Sequence, residues 1–120
     1  MTEENPFENL DKETQMQIQE MQILEQNFHQ LLMQKQAFGF ELNETDLALE
    51  EIEKAEGDVF KIVGNQIIIK TSKEKLKEEL KSKKDLINLR MKNIDKQEKE
   101  FSEKLESLKE KVIKKISNKQ

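Results

Sequence analysis

Apolar residues recur at alternate steps of three and four through the first half of the chain. A repeat of about 3.5 residues keeps one narrow stripe of a helix facing a partner helix, and it is typical of a coiled coil. Asn5 and Pro6 suit a helix start and Gly57 suits a helix end, so we predict a first helix over residues 7–56. The predicted seam consists of Phe7, Leu10, Thr14, Gln17, Met21, Leu24, Phe28, Leu31, Lys35, Phe38, Leu42, Thr45, Leu49 and Ile52.

The same repeat returns in the last third of the chain and predicts a second helix over residues 72–117. Thr71 and Glu74 have the spacing of a capping box at its start. Two helices of similar length with a short connection predict an antiparallel pair, because the chain has room only to double back. Gly39, inside the first helix, indicates a local bend or close packing. The second seam consists of Leu80, Lys84, Ile87, Met91, Ile94, Glu98, Phe101, Leu105, Leu108 and Val112.

Between the predicted helices, residues 58–71 are rich in β-branched side chains and are interrupted by Gly64-Asn65. This pattern predicts a β-hairpin with a two-residue type II′ turn, in which Val63 pairs with Gln66. The predicted register places four large apolar side chains together on one face, namely Phe60, Ile62, Ile67 and Ile69. The predicted fold class is mainly α, with a long antiparallel two-helix coiled coil and one central β-hairpin.

The composition disfavours a conventional round core, since 34% of the residues are hydrophobic and 38% are charged. Residues 1–60 hold three lysines against fifteen acids, a charge of −12, whereas residues 61–120 hold eighteen basic residues against ten acids, a charge of +8. Opposite charges on the two halves favour their pairing. A nucleic-acid binder using the basic half is an alternative, but its lysines alternate with glutamates and lack an aromatic platform, so we predict no nucleic-acid partner.

The apolar face of the predicted hairpin requires a cover. Two strands alone are marginally stable, and leaving four large apolar side chains exposed forgoes about 6 to 12 kcal/mol. The helices lead away from the hairpin, so we expect hairpins of other subunits to cover this face and form an oligomer. The alternative is a small cap folded onto the helix ends of a monomer.

Catalytic, cofactor-binding and metal-binding patterns are not indicated. His29 is the only histidine and the chain has no cysteine, so a lone histidine on a helix flank is best interpreted as a surface residue. Glu50, Glu51 and Glu53 are interpreted as a charged face opposite the basic helix, not as an acid–base pair. We predict no enzymatic activity, no cofactor and no metal. Without a signal peptide or an apolar span, we also predict a cytoplasmic protein with no membrane partner.

At this level of detail the chain resembles an archaeal-type prefoldin beta subunit over nearly all of its 120 residues. The resemblance is carried by the acidic segment Leu47–Lys54, the hairpin Val59–Lys70 and the Thr71–Lys73 entry into a Lys/Glu-rich helix. A single hairpin between the helices is similar to the beta type, whereas the alpha type has two. The resemblance implies one prefoldin-like domain over residues 1–120.

The resemblance further implies an ATP-independent chaperone that holds unfolded polypeptides and delivers them to a group II chaperonin. Its implied partner is a prefoldin alpha subunit, in a hexamer of two alpha and four beta chains joined through a β-barrel platform. The platform role would fall on the apolar hairpin residues given above. An alternative function is a structural coiled-coil adaptor that binds one specific folded partner.

In the resemblance, the free ends of the coiled coil contact the unfolded polypeptide. Both ends of this chain carry more apolar residues than the seam requires, and glutamines hydrate the first helix without adding charge. The expected contact residues are Phe7, Leu10, Met16, Ile18, Met21, Val112, Ile113 and Ile116.

Overall fold

The chain forms two long helices joined by a β-hairpin. The computed structural model describes residues 11–118, in the order α1 (Lys12–Lys54), β1 (Val59–Val63), β2 (Ile67–Thr71) and α2 (Lys73–Asn118). The predicted fold class, mainly helical with one antiparallel hairpin, is confirmed.

The contacts of the chain group into two units. Among the described residues, one unit contains residues 11–33 together with residues 94–118, and it is called the end unit below. The other is Gln34–Asn93 and is called the hairpin unit. In the hairpin unit, Glu41 pairs with Lys83 and Glu53 with Lys77, so the two helices run antiparallel there. In the end unit, an ion pair joins Asp11 of the α1 start to Lys115 near the end of α2.

Side-chain oxygens cap the starts of both helices. Asp11 Oδ1 accepts a hydrogen bond from the Thr14 backbone N–H at 2.7 Å, and Ser72 Oγ accepts one from the Lys75 N–H at 3.1 Å. Each cap satisfies a backbone donor that has no partner within the first helical turn. The predicted capping box at Thr71 is therefore wrong by one residue. The predicted start at Asn5 and Pro6 lies outside the described residues.

A lysine at the start of α2 caps the C-terminal end of α1. The Lys73 ammonium donates to the carbonyl oxygens of Glu53 and Ala55, at 3.0 and 3.4 Å. A cation placed on the last carbonyls satisfies them and complements the helix dipole. Gly57 follows with a φ of +88°, a left-handed conformation that glycine adopts without strain.

Gly39 lies inside the uninterrupted helix α1. A Cβ built on it would meet no atom within 4 Å. The suggestion that Gly39 permits close packing is therefore wrong, because the space beside it is open.

The predicted coiled-coil seam is confirmed in both helices. Every seam position that the structure describes is buried or half-buried. A buried Leu or Ile contributes about 1.5 to 3 kcal/mol relative to exposure, so this stripe is the main source of stability in each unit. The most buried apolar positions are Leu24, Leu31, Ile52, Ile87, Ile94 and Val112.

The hairpin has a different register from the predicted one. Val63 pairs with Ile67, and Ile62 pairs with Ile68, so the turn contains three residues and not two. Gly64 and Asn65 both adopt positive φ, at +63° and +65°. A type II′ turn has positive φ only at its first central residue, so the conformation of Asn65 excludes it.

The shift of one residue redistributes the apolar side chains, since neighbours along a strand point to opposite faces. The Phe60 face carries Phe60, Ile62, Ile68 and Lys70. The Lys61 face carries Val59, Lys61, Val63, Ile67, Ile69 and Thr71. The prediction that Ile67 and Ile69 share a face with Phe60 and Ile62 is therefore wrong.

Candidate interaction surfaces

The Phe60 face is the more exposed side of the hairpin. Its apolar members Phe60, Ile62 and Ile68 are 55%, 70% and 69% exposed, and Lys70 is exposed as well. Lys70 is paired with Asp58 at 3.4 Å, which holds its charge at one end of the face. Three large apolar side chains on a flat β surface form a contact area that water covers poorly.

The Lys61 face is partly covered by the start of α2. The Lys61 ammonium is 3.0 Å from Glu79 Oε2, and Val59, Lys61 and Thr71 are half-buried. Ile67 and Ile69 on this face are exposed. All four residues predicted for the hairpin surface are therefore exposed, but on two faces, and sequence reasoning omitted Ile68.

The predicted contact residues of the end unit fall into three groups. Phe7 and Leu10 lie outside the described residues. Ile18 and Met21 are half-buried and Val112 is buried, with Met21 and Val112 in the seam. The exposed members are Met16, Ile113 and Ile116.

Four exposed apolar side chains of the end unit form two pairs, each on one side of a helix. Met16 and Ile23 are two helical turns apart on α1, and Ile113 and Ile116 are one turn apart on α2. Positions with these spacings lie on the same side of a helix. Ile23 was not among the predicted contact residues. Its position off the seam, two turns from Met16, is the feature of the sequence that could have identified it.

An ion pair joins the start of α1 to the end of α2 in the end unit. Lys115 Nζ lies 3.1 Å from Asp11 Oδ2, while Asp11 Oδ1 caps α1. The adjacent Thr14, whose backbone N–H donates to Oδ1, and then the Lys115 ammonium hold the pKa of the Asp11 carboxyl well below its usual range. Asp11 in turn raises the pKa of Lys115.

In the hairpin unit, acids along the edges of α1 pair with lysines of α2. Asp46 Oδ1 is 2.8 Å from Lys84 Nζ, and Glu53 contacts Lys77. The hydrogen bond from Lys77 lowers the pKa of the Glu53 carboxyl. The predicted attraction between the acidic first helix and the basic second helix is present as these cross-helix pairs.

The hairpin unit also exposes apolar helix residues that sequence reasoning did not select. Phe40 and Leu47 on α1 are 71% and 55% exposed, and Leu86 and Leu89 on α2 are also exposed. Their signal in the sequence is their heptad position: they lie away from the seam, where a partner helix within the chain cannot cover them.

Residues 11–118 contain no group of three or more side chains arranged to hold a metal ion. Over the same residues, neither helix has an apolar stretch of the length and hydropathy needed to cross a membrane.

Comparison with known proteins identifies the family. A family model described as Prefoldin subunit matches residues 15–119. The prefoldin subunit beta of Pyrococcus furiosus is 35% identical over 108 residues, which cover 88% of this chain and 92% of the relative. That of Pyrobaculum calidifontis is 40% identical over 89 residues, covering 72% and 70%.

The same relationship appears in three dimensions. The crystal structure of the prefoldin beta subunit from Thermococcus strain KS-1 matches with a TM-score of 0.78 and 33% identity, over 87% of this chain and 92% of that chain. The chain belongs to the prefoldin family. The resemblance to prefoldin beta subunits is confirmed, and the protein is a prefoldin chaperone subunit.

Proposed function

We propose that this chain acts in the cytoplasm as part of an ATP-independent holdase, which binds unfolded polypeptides at the end unit, prevents their aggregation and delivers them to a group II chaperonin. The observation that carries the proposal is that Met16, Ile23, Ile113 and Ile116 are exposed while the seam beside them is already filled. These side chains are available without opening the coiled coil.

The chemistry of this surface suits changing partners. Methionine is flexible and polarizable, so it adapts to apolar groups of different shape. The uncharged Gln19 and Gln22 lie beside the exposed apolar residues of α1 and keep this surface hydrated, with Glu13 and Glu20 on the same side of the helix. The two faces are small and rely on side chains alone, which favours weak, reversible contacts over one tight folded partner.

Val112 contributes in a different way. It is 7% exposed and belongs to the seam, so a client reaches it only when the helix ends separate. We therefore propose that a client first contacts the exposed residues. The seam residues Met21 and Val112 contact it later, if it stays bound while the helix ends separate.

The hairpin provides the assembly surface in this proposal. Its Phe60 face presents Phe60, Ile62 and Ile68 to solvent, and its outer strand edges are unpaired in the single chain. Hairpins of an alpha subunit and of further beta subunits would cover this face and pair the edges, in a hexamer of two alpha and four beta chains. We place the contact on Phe60, Ile62 and Ile68, with Ile67 and Ile69 on the second face.

The chaperone activity is tested by light scattering of several unrelated, chemically unfolded proteins diluted into buffer with the complex of this chain and its partner subunit. The expected result is suppressed aggregation of all of them at near-stoichiometric amounts, equally with and without ATP. The variant Met16→Ser/Ile23→Ser/Ile113→Ser should lose most of this suppression, because the exposed contact side chains are removed while the seam is unchanged.

A matched control removes apolar surface from the other unit. Leu86→Ser/Leu89→Ser takes away two exposed leucines of the hairpin unit and should leave suppression intact. If the complex binds one protein in its folded state and does not suppress the aggregation of the others, the adaptor function is supported and the holdase function is contradicted. Transfer of a labelled client to a purified group II chaperonin, followed by native gel electrophoresis, tests delivery separately.

A further inference from the structure

The outward side of α1 in the hairpin unit carries a stripe of its own. Phe40, Glu44, Leu47 and Glu51 follow one another at steps of four, three and four, on the side of the helix away from the seam. These four residues, with the adjacent Glu50, are called the α1 outer face. Phe40 is the most exposed large apolar residue within residues 11–118, and Leu47 is more than half exposed.

The acids of α1 in this unit divide into two sets. Glu41, Asp46 and Glu53 are paired with Lys83, Lys84 and Lys77 of α2. The other set lies on the α1 outer face and makes no ion pair within residues 11–118; it comprises Glu44, Glu50 and Glu51. These three carboxylates outnumber Lys54, the exposed cation one turn after Glu50 and Glu51, so the surface around the two exposed apolar side chains is net negative and favours a positively charged ligand.

The size of the apolar surface limits what binds there. Phe40 and Leu47 together expose roughly 200 Å² of apolar side chain, whereas a standard complex of folded proteins buries about 450 Å² of apolar surface on each partner, a little over half of its total of about 800 Å². The α1 outer face is therefore too small to hold a folded subunit by itself. It suits one extended segment that inserts an apolar side chain near Phe40 and Leu47 and places Lys or Arg against the glutamates.

We propose that the α1 outer face is a second client-contact site, which binds short basic segments of unfolded polypeptide. The inference rests on the proposed holdase function, because that function supplies unfolded polypeptide as the ligand. The contact is weak and sensitive to salt, since its carboxylates are exposed and solvent ions screen them. It gives the chaperone a preference for clients rich in Lys and Arg.

The test uses three unstructured fluorescent peptides with the same apolar residues and with Lys, Gln or Glu at the remaining positions. Fluorescence anisotropy measures their binding to the complex of this chain with its partner subunit, at low and high salt. We expect the Lys peptide to bind about fivefold more tightly than the Gln peptide at low salt, and the Glu peptide to bind more weakly than both. High salt should remove most of the difference.

Two variants test whether the preference for the Lys peptide comes from the α1 outer face. Glu44→Gln/Glu50→Gln/Glu51→Gln should abolish the preference for the Lys peptide and leave binding of the Gln peptide unchanged. Glu74→Gln/Glu78→Gln/Asp85→Asn removes the same charge from exposed positions of α2 and should retain the preference. If the first variant keeps the preference, or if the second abolishes it, the proposal is overturned.

The remaining outcomes separate this inference from the proposed function. Equal binding of the three peptides to a complex that still suppresses aggregation would overturn the second site and leave the holdase function standing. Failure to bind any unfolded protein would overturn both. If Phe40→Ser/Leu47→Ser lowers the mass of the complex in light scattering and leaves Lys-peptide binding unchanged, the face is a contact between subunits and the proposal is wrong.

Discussion

The two units share one kind of seam, and both expose apolar side chains on helices, but within residues 11–118 only the hairpin unit also exposes them on strands. In the end unit Met16 and Ile113 project from helices, whereas in the hairpin unit Ile62 and Ile68 project from paired strands. A helix satisfies its backbone hydrogen bonds internally, so a partner meets only side chains. A two-stranded sheet also offers unpaired N–H and C=O groups along its outer edges.

This difference indicates what each surface can recognise. Edge strands impose a fixed spacing on a partner, and another strand meets that spacing best, which suits permanent assembly. Side chains on a helix, with methionine among them, tolerate partners of many shapes, which suits transient contact with unfolded chains. The comparison therefore supports the proposed roles, with assembly at the hairpin and the main client contact at the end unit.

The largest effect is expected from charge placed on the Phe60 face. Ile62→Lys/Ile68→Lys should dissociate the oligomer, because a buried apolar contact between subunits would then have to accommodate two ammonium groups. The helical content should stay close to that of the wild type, since neither residue contributes to the coiled-coil seam. Sedimentation measures the mass and far-ultraviolet circular dichroism measures the helix.

Leu86→Lys/Leu89→Lys is the matched control for the hairpin variant. It places two charges at exposed apolar positions of the same unit, on α2 and not on the strands. It should leave the mass of the assembly unchanged. An oligomer of wild-type size in the Ile62→Lys/Ile68→Lys variant would contradict the assignment of assembly to the Phe60 face.

The register of the hairpin shows where sequence reasoning reached its limit. The strands were predicted correctly from their β-branched residues, because that signal is spread over several positions. The face was not, because it depends on whether Gln66 belongs to the strand or to the turn, and Gly64-Asn65 is compatible with both. A single residue in the turn moved Ile67 and Ile69 to the other side.

The next largest effect is expected in the seam, where the two units should behave alike. Ile94→Ala in the end unit and Ile87→Ala in the hairpin unit each remove a side chain that is at most 5% exposed. Each should lower the free energy of unfolding by about 2 to 5 kcal/mol, through lost burial and the cavity left behind. Urea unfolding followed by circular dichroism measures this change.

Met16→Ala provides the control for the seam variants. Its side chain is exposed, so the change should stay within about 0.5 kcal/mol. If only one of the two isoleucine variants lowers the free energy of unfolding, the seam does not contribute equally to the stability of both units. The seam within residues 11–118 was predictable because its period is a direct consequence of helix geometry. Phe40 and Leu47 were missed because a position off the seam shows only that the partner helix leaves the residue exposed, and not what else contacts it.

A smaller effect is expected from the carboxylate that caps α1. The pKa of Asp11 is lowered in the folded chain, so its charged form stabilises the fold fully above the ordinary pKa of 3.8, and this contribution falls progressively as the pH drops from there to the folded value. Asp11→Asn keeps an oxygen that can cap the helix but removes the charge that faces Lys115. The variant should therefore lose less stability than the wild type between pH 7 and pH 3, as measured by urea unfolding.

The control for the pH experiment is an exposed acid of the same unit. Glu100→Gln removes a carboxylate that has no ion pair within residues 11–118, and it should retain the pH dependence of the wild type. Equal pH dependence in Asp11→Asn and the wild type would show that the ion pair between Asp11 and Lys115 does not stabilise the end unit.

The smallest effect is expected from Gly39→Ala, which should raise the free energy of unfolding by about 0.5 to 1 kcal/mol. Alanine loses less conformational entropy than glycine in a helix, and the space beside Gly39 is open, so no clash opposes the gain. Gly57→Ala is the opposing control within the hairpin unit: its surroundings are equally open, but its φ of +88° strains any side chain. Urea unfolding should therefore give opposite signs for the same chemical change. A loss of stability in Gly39→Ala would show that the outward side of α1 needs the glycine for a contact with another chain.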